Sequence, residues 1–205
     1  ILKVDDRGRI APDELARAIR DNTTMVSIMT ANNETGVFQR MEEPAESCQE
    51  RGVLLHSDMV QSFGKGETNL NGLAAASFAA HKFYGPKGAA LLYLRAGLPI
   101  EAIEFGGAHE NQRRPGTENV AAIAGMAAAA EYVSRDRAEE QLRQGELRDR
   151  LWNQIAESVP SATQNGDTTN RLANTRNVSF DGVSSEAILM AIDLERVCAS
   201  SVSAC

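Results

Sequence analysis

The chain has 205 residues, a formal net charge of -7, an apolar fraction of 42% and a charged fraction of 24%. This is the make-up of an ordinary globular protein of one or two domains with a sizeable core, and its acidity argues against non-specific nucleic-acid binding. No apolar run approaches membrane-spanning length, and no signal peptide is visible. Cys48, Cys198 and Cys205 match neither a disulfide framework nor a zinc spacing, so a reducing cytoplasm and no metal are expected.

The chain opens at Ile1 without Met, so the expectation is a fragment or a processed chain. Residues 1–11 are polar and irregular, with Val4 and Ile10 as strand fragments. Pro12 suits the first turn of a helix, Asp13 and Glu14 suit its positive end, and Leu15 and Ile19 share a face. Residues 25–29 form a short buried strand, followed by a polar turn over 31–36. A second helix runs over 43–51 and ends at Gly52. Residues 53–56 are the next strand, closing on Asp58. Two more strands follow over 75–79 and 90–94. Strands alternating with short helices predict an α/β architecture with a largely parallel sheet.

Residues 106–119 form a polar loop centred on Arg113 and Arg114. An alanine-rich helix spans 119–133. The charged stretch 134–140 is the expected domain junction. Leu142, Leu147, Leu151 and Ile155 mark the apolar face of a further amphipathic helix. Pro160 and the polar run to Thr175 read as a loop, and residues 177–180 as a strand. Ser184 or Ser185 caps a helix over 186–194. Cys198 follows an expected strand and Cys48 sits on a helix, and both are expected to serve packing.

The stretch with the most chemistry is Ser77-Phe78-Ala79-Ala80-His81-Lys82-Phe83-Tyr84-Gly85-Pro86-Lys87-Gly88. An apolar run stops at a lysine, and a glycine-proline turn sets the exit. In a partly dry site the Lys82 amine becomes a nucleophile able to form a Schiff base. The plain alternative is a strand end with a snorkelling lysine. The aldehyde that most often needs such a lysine is pyridoxal phosphate, which also needs a carboxylate at its ring nitrogen. Asp58 stands at a strand end for that role, or else caps the following turn. Gln61 and Asn33 could donate to the phenolate oxygen, although Asn33 could simply sit in a turn, where Asn is common. His81 and Thr117 could meet the phosphate, although Thr117 also reads as a plain helix cap. Asn33, Asp58 and Lys82 each fall just past a strand, where ligands gather in open α/β sheets.

Several motifs occur in order along the chain. They are Asn32-Asn33-Glu34-Thr35-Gly36, His56-Ser57-Asp58-Met59-Val60-Gln61-Ser62, Ala80-His81-Lys82-Phe83-Tyr84-Gly85-Pro86-Lys87-Gly88, Arg114-Pro115-Gly116-Thr117-Glu118-Asn119 and Ser200-Ser201-Val202-Ser203-Ala204-Cys205. Together they resemble the pyridoxal-phosphate-dependent cysteine desulfurases, class V aminotransferase-like enzymes of the type I fold that supply sulfur for iron–sulfur clusters. The resemblance implies a mostly parallel large domain over 1–137 and part of a smaller α/β domain over 138–205. It implies that Lys82 bonds the cofactor, Asp58 pairs with its ring nitrogen, and Asn33 and Gln61 hold its phenolate oxygen. His81 then lies on the phosphate side. Thr117 reaches the phosphate of the other subunit, hence a homodimer, and Cys205 is the catalytic cysteine. L-Cysteine is the implied substrate, alanine and an enzyme persulfide the implied products, and a cluster scaffold or thiolation partner the implied sulfur acceptor. Selenocysteine lyase, another class V enzyme, or an inactive assembly fragment are the competing readings.

The chain departs from the family pattern at Ala79, where a hydroxyl residue is usual, and at Val202, where glycine is usual. It resembles the middle of a desulfurase. The family's ring-stacking histidine belongs to a preceding segment and its carboxylate-binding arginine to a following one.

Overall fold

The computed structural model describes residues 1–201. The expectations for Val202 and Cys205 lie outside the described residues.

Helix α1 spans Pro12–Ala18, with Pro at its first turn and Asp13 and Glu14 at its positive end. Strand β1 is Met25–Met29, α2 is Glu42–Glu50, β2 is Leu54–Asp58, β3 is Ala75–Ala79 and β4 is Ala90–Leu94. They form one sheet in the order β1-β2-β3-β4. The first three strands are parallel and β4 is antiparallel to β3. The largely parallel α/β sheet expected from the alternation of elements is therefore present.

In β1 and β2 the side chains alternate between the core and the more open face. Val26, Ile28, Leu55, Ala76 and Phe78 point into a core shared with Leu15 and Ile19 of the α1 region and Ala45 and Cys48 of α2. Cys48 is 1% exposed, and burial pushes its thiol pKa up, in keeping with a packing role. A second apolar cluster joins Ala80, Phe83, Ala89 and Ala129, with Phe63, Met126 and Val133 against it.

Helix α3 (Val120–Arg135) breaks at Asp136, and α4 (Arg137–Ser158) follows. The stripe expected to bury α4 does not do so: Leu142, Leu147 and Leu151 are exposed. The helix instead docks through polar side chains. Arg137 Nη1 donates to the Gly66 carbonyl, Gln141 Nε2 to the Lys65 carbonyl, and Arg148 Nη1 to the Leu172 carbonyl. A period-3.6 pattern states which side is apolar and not whether a neighbour covers it.

The expected loop after Pro160 contains a strand, β5 (Ala162–Gln164), antiparallel to β6 (Val178–Phe180). Three residues with one apolar member carry no alternation to read; the partner strand creates it. Helix α5 (Ser185–Leu194) is capped by Ser184, whose Oγ accepts from Ala187 N at 3.3 Å. Cys198 is exposed and follows α5 and a turn rather than a strand, so the packing role expected of it is not met. Among the described residues no helix is long and apolar enough to cross a membrane.

Candidate active site

Because β1, β2 and β3 run parallel, their carboxyl ends line one edge of the sheet. Met29 pairs with Asp58, and Asp58 with Ser77. Asn33, Gln61 and Lys82 follow the three strands within a few residues, so the topology gathers Asn33, Asp58, Gln61 and Lys82 along that edge. Asp58 is half-buried. Its Oδ1 accepts from Val60 N at 2.9 Å and its carbonyl from Thr30 N at 2.8 Å, which fixes the carboxylate at the strand end.

Asn33 lies in a turn braced by its neighbour. That neighbour is Asn32, whose Oδ1 accepts from Glu34 N at 2.9 Å, Thr35 N at 2.8 Å and the Thr35 hydroxyl at 3.1 Å. Asn33 itself sits in this turn, as its plain reading had it.

Gln61 Oε1 accepts from Lys65 Nζ at 3.2 Å, which orients the amide with its NH2 at the opposite end. Lys82 ends a 3-10 turn, Ala80–Lys82, directly after β3. The pair His81-Lys82 sits between two buried anchors, Ala80 and Phe83. Phe83 meets Phe63 edge to face with centroids 4.8 Å apart, and Phe63 meets Phe78 at 5.3 Å. Tyr84 takes a φ of 68°, an uncommon conformation for a bulky residue. Gly85 approaches so closely that a Cβ there would stand 2.8 Å from the Ala80 Cβ. These contacts turn the chain sharply just beyond Lys82. Lys82 is half-buried and lines a cleft of about 670 Å³ with Lys65, Tyr84, Tyr132, Glu140 and Arg143. Asp58, Asn33 and Gln61 are not in the lining of that cleft.

His81 is exposed beside Lys82. Thr117 is exposed on the segment before α3. It is not the helix cap: Asn119 is, with Oδ1 accepting from Ala122 N at 3.1 Å. The half-buried Ala79 closes β3 and offers no hydroxyl.

One group at this site had no role in the sequence. His56 lies on the same face of β2 as Asp58. Its Nδ1 is 2.8 Å from Ser27 Oγ on β1, and its Nε2 is 2.9 Å from Ser77 Oγ on β3. The imidazole thereby ties three strands together beneath the edge. The motif containing His56 was visible, but its serine partners become neighbours only through strand register.

The family profile described as aminotransferase class V matches residues 1–205. The chain belongs to the class V aminotransferases. The cofactor of this family is pyridoxal 5'-phosphate. Among relatives of this class V chain, the cysteine desulfurase IscS of Dictyoglomus turgidum is 41% identical over 206 residues, covering 100% of this chain and 52% of the relative. A cysteine desulfurase of Gluconacetobacter diazotrophicus is 43% identical, covering 100% of this chain and 52% of its own length. The chain therefore spans about half the length of the curated relatives it matches. Among solved structures, a NifS-like protein from Rickettsia africae superposes with a TM-score of 0.91 at 30% identity, over 98% of this chain and 57% of that one. DndA from Streptomyces lividans superposes with a TM-score of 0.85 at 34% identity, over 94% of this chain and 55% of that one. The type I fold expected from the motifs is the fold of these relatives.

Proposed function

We propose that this chain is part of a cysteine desulfurase that takes sulfur from L-cysteine, releases L-alanine and holds the sulfur as a persulfide on Cys205. The observation that carries this reading is the gathering of Lys82, Asp58, Asn33 and Gln61 along the carboxyl edge of three parallel strands. The donor set fits the family's cofactor: a primary amine for its aldehyde, a carboxylate for its ring nitrogen, and amide groups for its phenolate oxygen. When bound, pyridoxal phosphate supplies an electron sink for bonds at the amine-bearing carbon of the substrate.

The chain's own residues do the rest. Lys82 Nζ anchors the cofactor and later moves the substrate α-proton. The Asp58 carboxylate, fixed by Val60 N, balances positive charge at the ring nitrogen. Asn33 and Gln61 orient the phenolate side. His81 serves the phosphate, and Thr117 serves the phosphate of a second subunit in a homodimer. The Cys205 thiolate attacks the substrate sulfur: an S–S bond forms as the C–S bond breaks, and the carbon takes a proton to become alanine. No outside oxidant is needed, because the substrate carbon is reduced as the sulfur is oxidised. The persulfide passes to an acceptor such as a cluster scaffold protein in the cytoplasm. This reading keeps the division into a large domain over 1–137 and part of a smaller one over 138–205.

The test uses the cofactor-loaded full-length protein with L-cysteine and a thiol reductant. Lys82→Ala is expected to lose the visible cofactor band. Cys205→Ser is expected to keep the band and lose sulfide and alanine release. Full sulfide release by Cys205→Ser would overturn the mechanism.

A further inference from the structure

The turn that carries Asn33 is gripped by a segment from the far end of the chain. Three consecutive carbonyls of the turn accept hydrogen bonds from that segment. Asn177 Nδ2 donates to the Glu34 carbonyl at 3.4 Å, Arg171 Nη2 to the Thr35 carbonyl at 2.5 Å, and Leu172 N to the Gly36 carbonyl at 2.8 Å. Val37 forms an isolated antiparallel bridge with Arg171, and Phe38 N donates to the Asn170 carbonyl at 3.1 Å. Two glycines permit the approach. A Cβ on Gly36 would stand 2.9 Å from the Thr175 Cβ, and one on Gly166 would stand 2.6 Å from Val37 Cγ2.

Arg171 is the centre of this grip. It is 5% exposed. Its Nη1 also reaches the carbonyls of Asn165 and Asp167, each at 3.4 Å. Among the described residues it forms no ion pair within salt-bridge distance; its acceptors are main-chain oxygens. Burial lowers its pKa to about 10, which leaves it cationic at neutral pH. A buried guanidinium on carbonyls is a weak source of net stability, but its planar fork is directional. An apolar side chain could fill the space without dictating where the Thr35 carbonyl lies.

We propose that Arg171 is a positioning residue for the cofactor edge: by holding the Thr35 carbonyl it sets how the turn presents Asn33. The C-terminal segment over 165–177 thereby controls one face of the cofactor environment without touching it. This rests on the reading of Asn33 as a phenolate-side residue.

The experiment compares cofactor-loaded wild type, Asn33→Ala, Arg171→Met, Arg171→Lys and the Asn33→Ala/Arg171→Met double variant. The readouts are amide hydrogen exchange over residues 32–38 and the pH midpoint of the cofactor's visible band. Arg171→Met is expected to speed exchange at 34–37 about tenfold. It should also move the midpoint in the same direction as Asn33→Ala, with no further shift in the double variant. Arg171→Lys, which keeps a cationic donor, should recover part of both effects. Unchanged exchange in Arg171→Met, or a midpoint shift that adds in full to that of Asn33→Ala, overturns the proposal. Should Arg171→Met fail to fold, Arg171→Gln replaces it, with the same two readouts and the same supporting and overturning results. If Arg171→Met speeds exchange but Asn33→Ala leaves the midpoint unmoved, the grip is real and the assignment of Asn33 is what fails, taking the proposal with it.

Discussion

Thr30 Oγ1 and Ser57 Oγ lie 2.6 Å apart, both buried, where β1 and β2 end. The Ser57 hydroxyl donates to the Ile28 carbonyl at 3.0 Å. A serine has one proton to give, so Thr30 must be the donor of the pair. The two hydroxyls thus form a directed chain beneath Met29 and Asp58. Ser57→Ala leaves the buried Thr30 hydroxyl without its acceptor and is expected to lose about 1–3 kcal/mol of stability. The Thr30→Val/Ser57→Ala double variant should lose less than the sum of the singles. Urea unfolding of the set checks both statements.

Phe83, the residue after Lys82, is 2% exposed and anchors the chain there against Phe63 and Ala129. Phe83→Ala is expected to lose about 3–5 kcal/mol, the usual range for emptying a buried aromatic site. Phe83→Leu should lose much less. If the anchor also places Lys82, cofactor affinity should fall in Phe83→Ala beyond what the stability loss explains. Cofactor titration well below the unfolding midpoint makes that comparison.

Gly36 combines a φ of 77° with the close approach of Thr175. Gly36→Ala is expected to lose about 1–2 kcal/mol from the left-handed backbone alone, and more from the contact. Thr175→Gly in that background should recover the contact share only. Thermal unfolding of the two variants separates the shares.

Asp167 is 2% exposed and its pKa is lowered to about 2. The chief causes are the main-chain N–H groups of Asn170 and Thr169 donating to Oδ1, and Arg9 adds a smaller attraction. Unfolded, the carboxylate takes its proton near its ordinary value of 3.8. The folded form binds that proton only at lower pH. Its stabilising contribution is therefore complete above about pH 4 and is lost as pH falls toward 2. Asp167→Asn should flatten the stability–pH slope in that window and leave the slope above pH 5 unchanged. Denaturant midpoints measured across the acid range decide it.

Most of the elements were legible because each carries its own local signal. Pro12 opens a helix, Gly52 ends one with a φ of 64°, and alternation marks β1 and β2. Strand β5 was not legible, because only its pairing with β6 makes those three residues a strand. At the candidate site, Lys82, Asp58 and Asn33 were legible as polar residues just past predicted strands, and Gln61 by its place three residues after Asp58. Thr117 was legible as a polar residue before a helix, yet the cap proved to be Asn119. The exposure of Leu142, Leu147 and Leu151 could not be read from a periodicity that records only which side is apolar.

The sequence by itself determined the α/β class, the strand ends where the candidate site residues fall, and the family to which the motifs point. These depend on patterns only a few residues long. Tertiary structure alone decided the partners: His56 between Ser27 and Ser77, Thr30 donating to Ser57, and Arg171 reaching Thr35 across 136 residues of chain. The reason is physical. A hydrogen bond depends on separation in space, and strand register and loop closure set that separation for residues no local pattern connects.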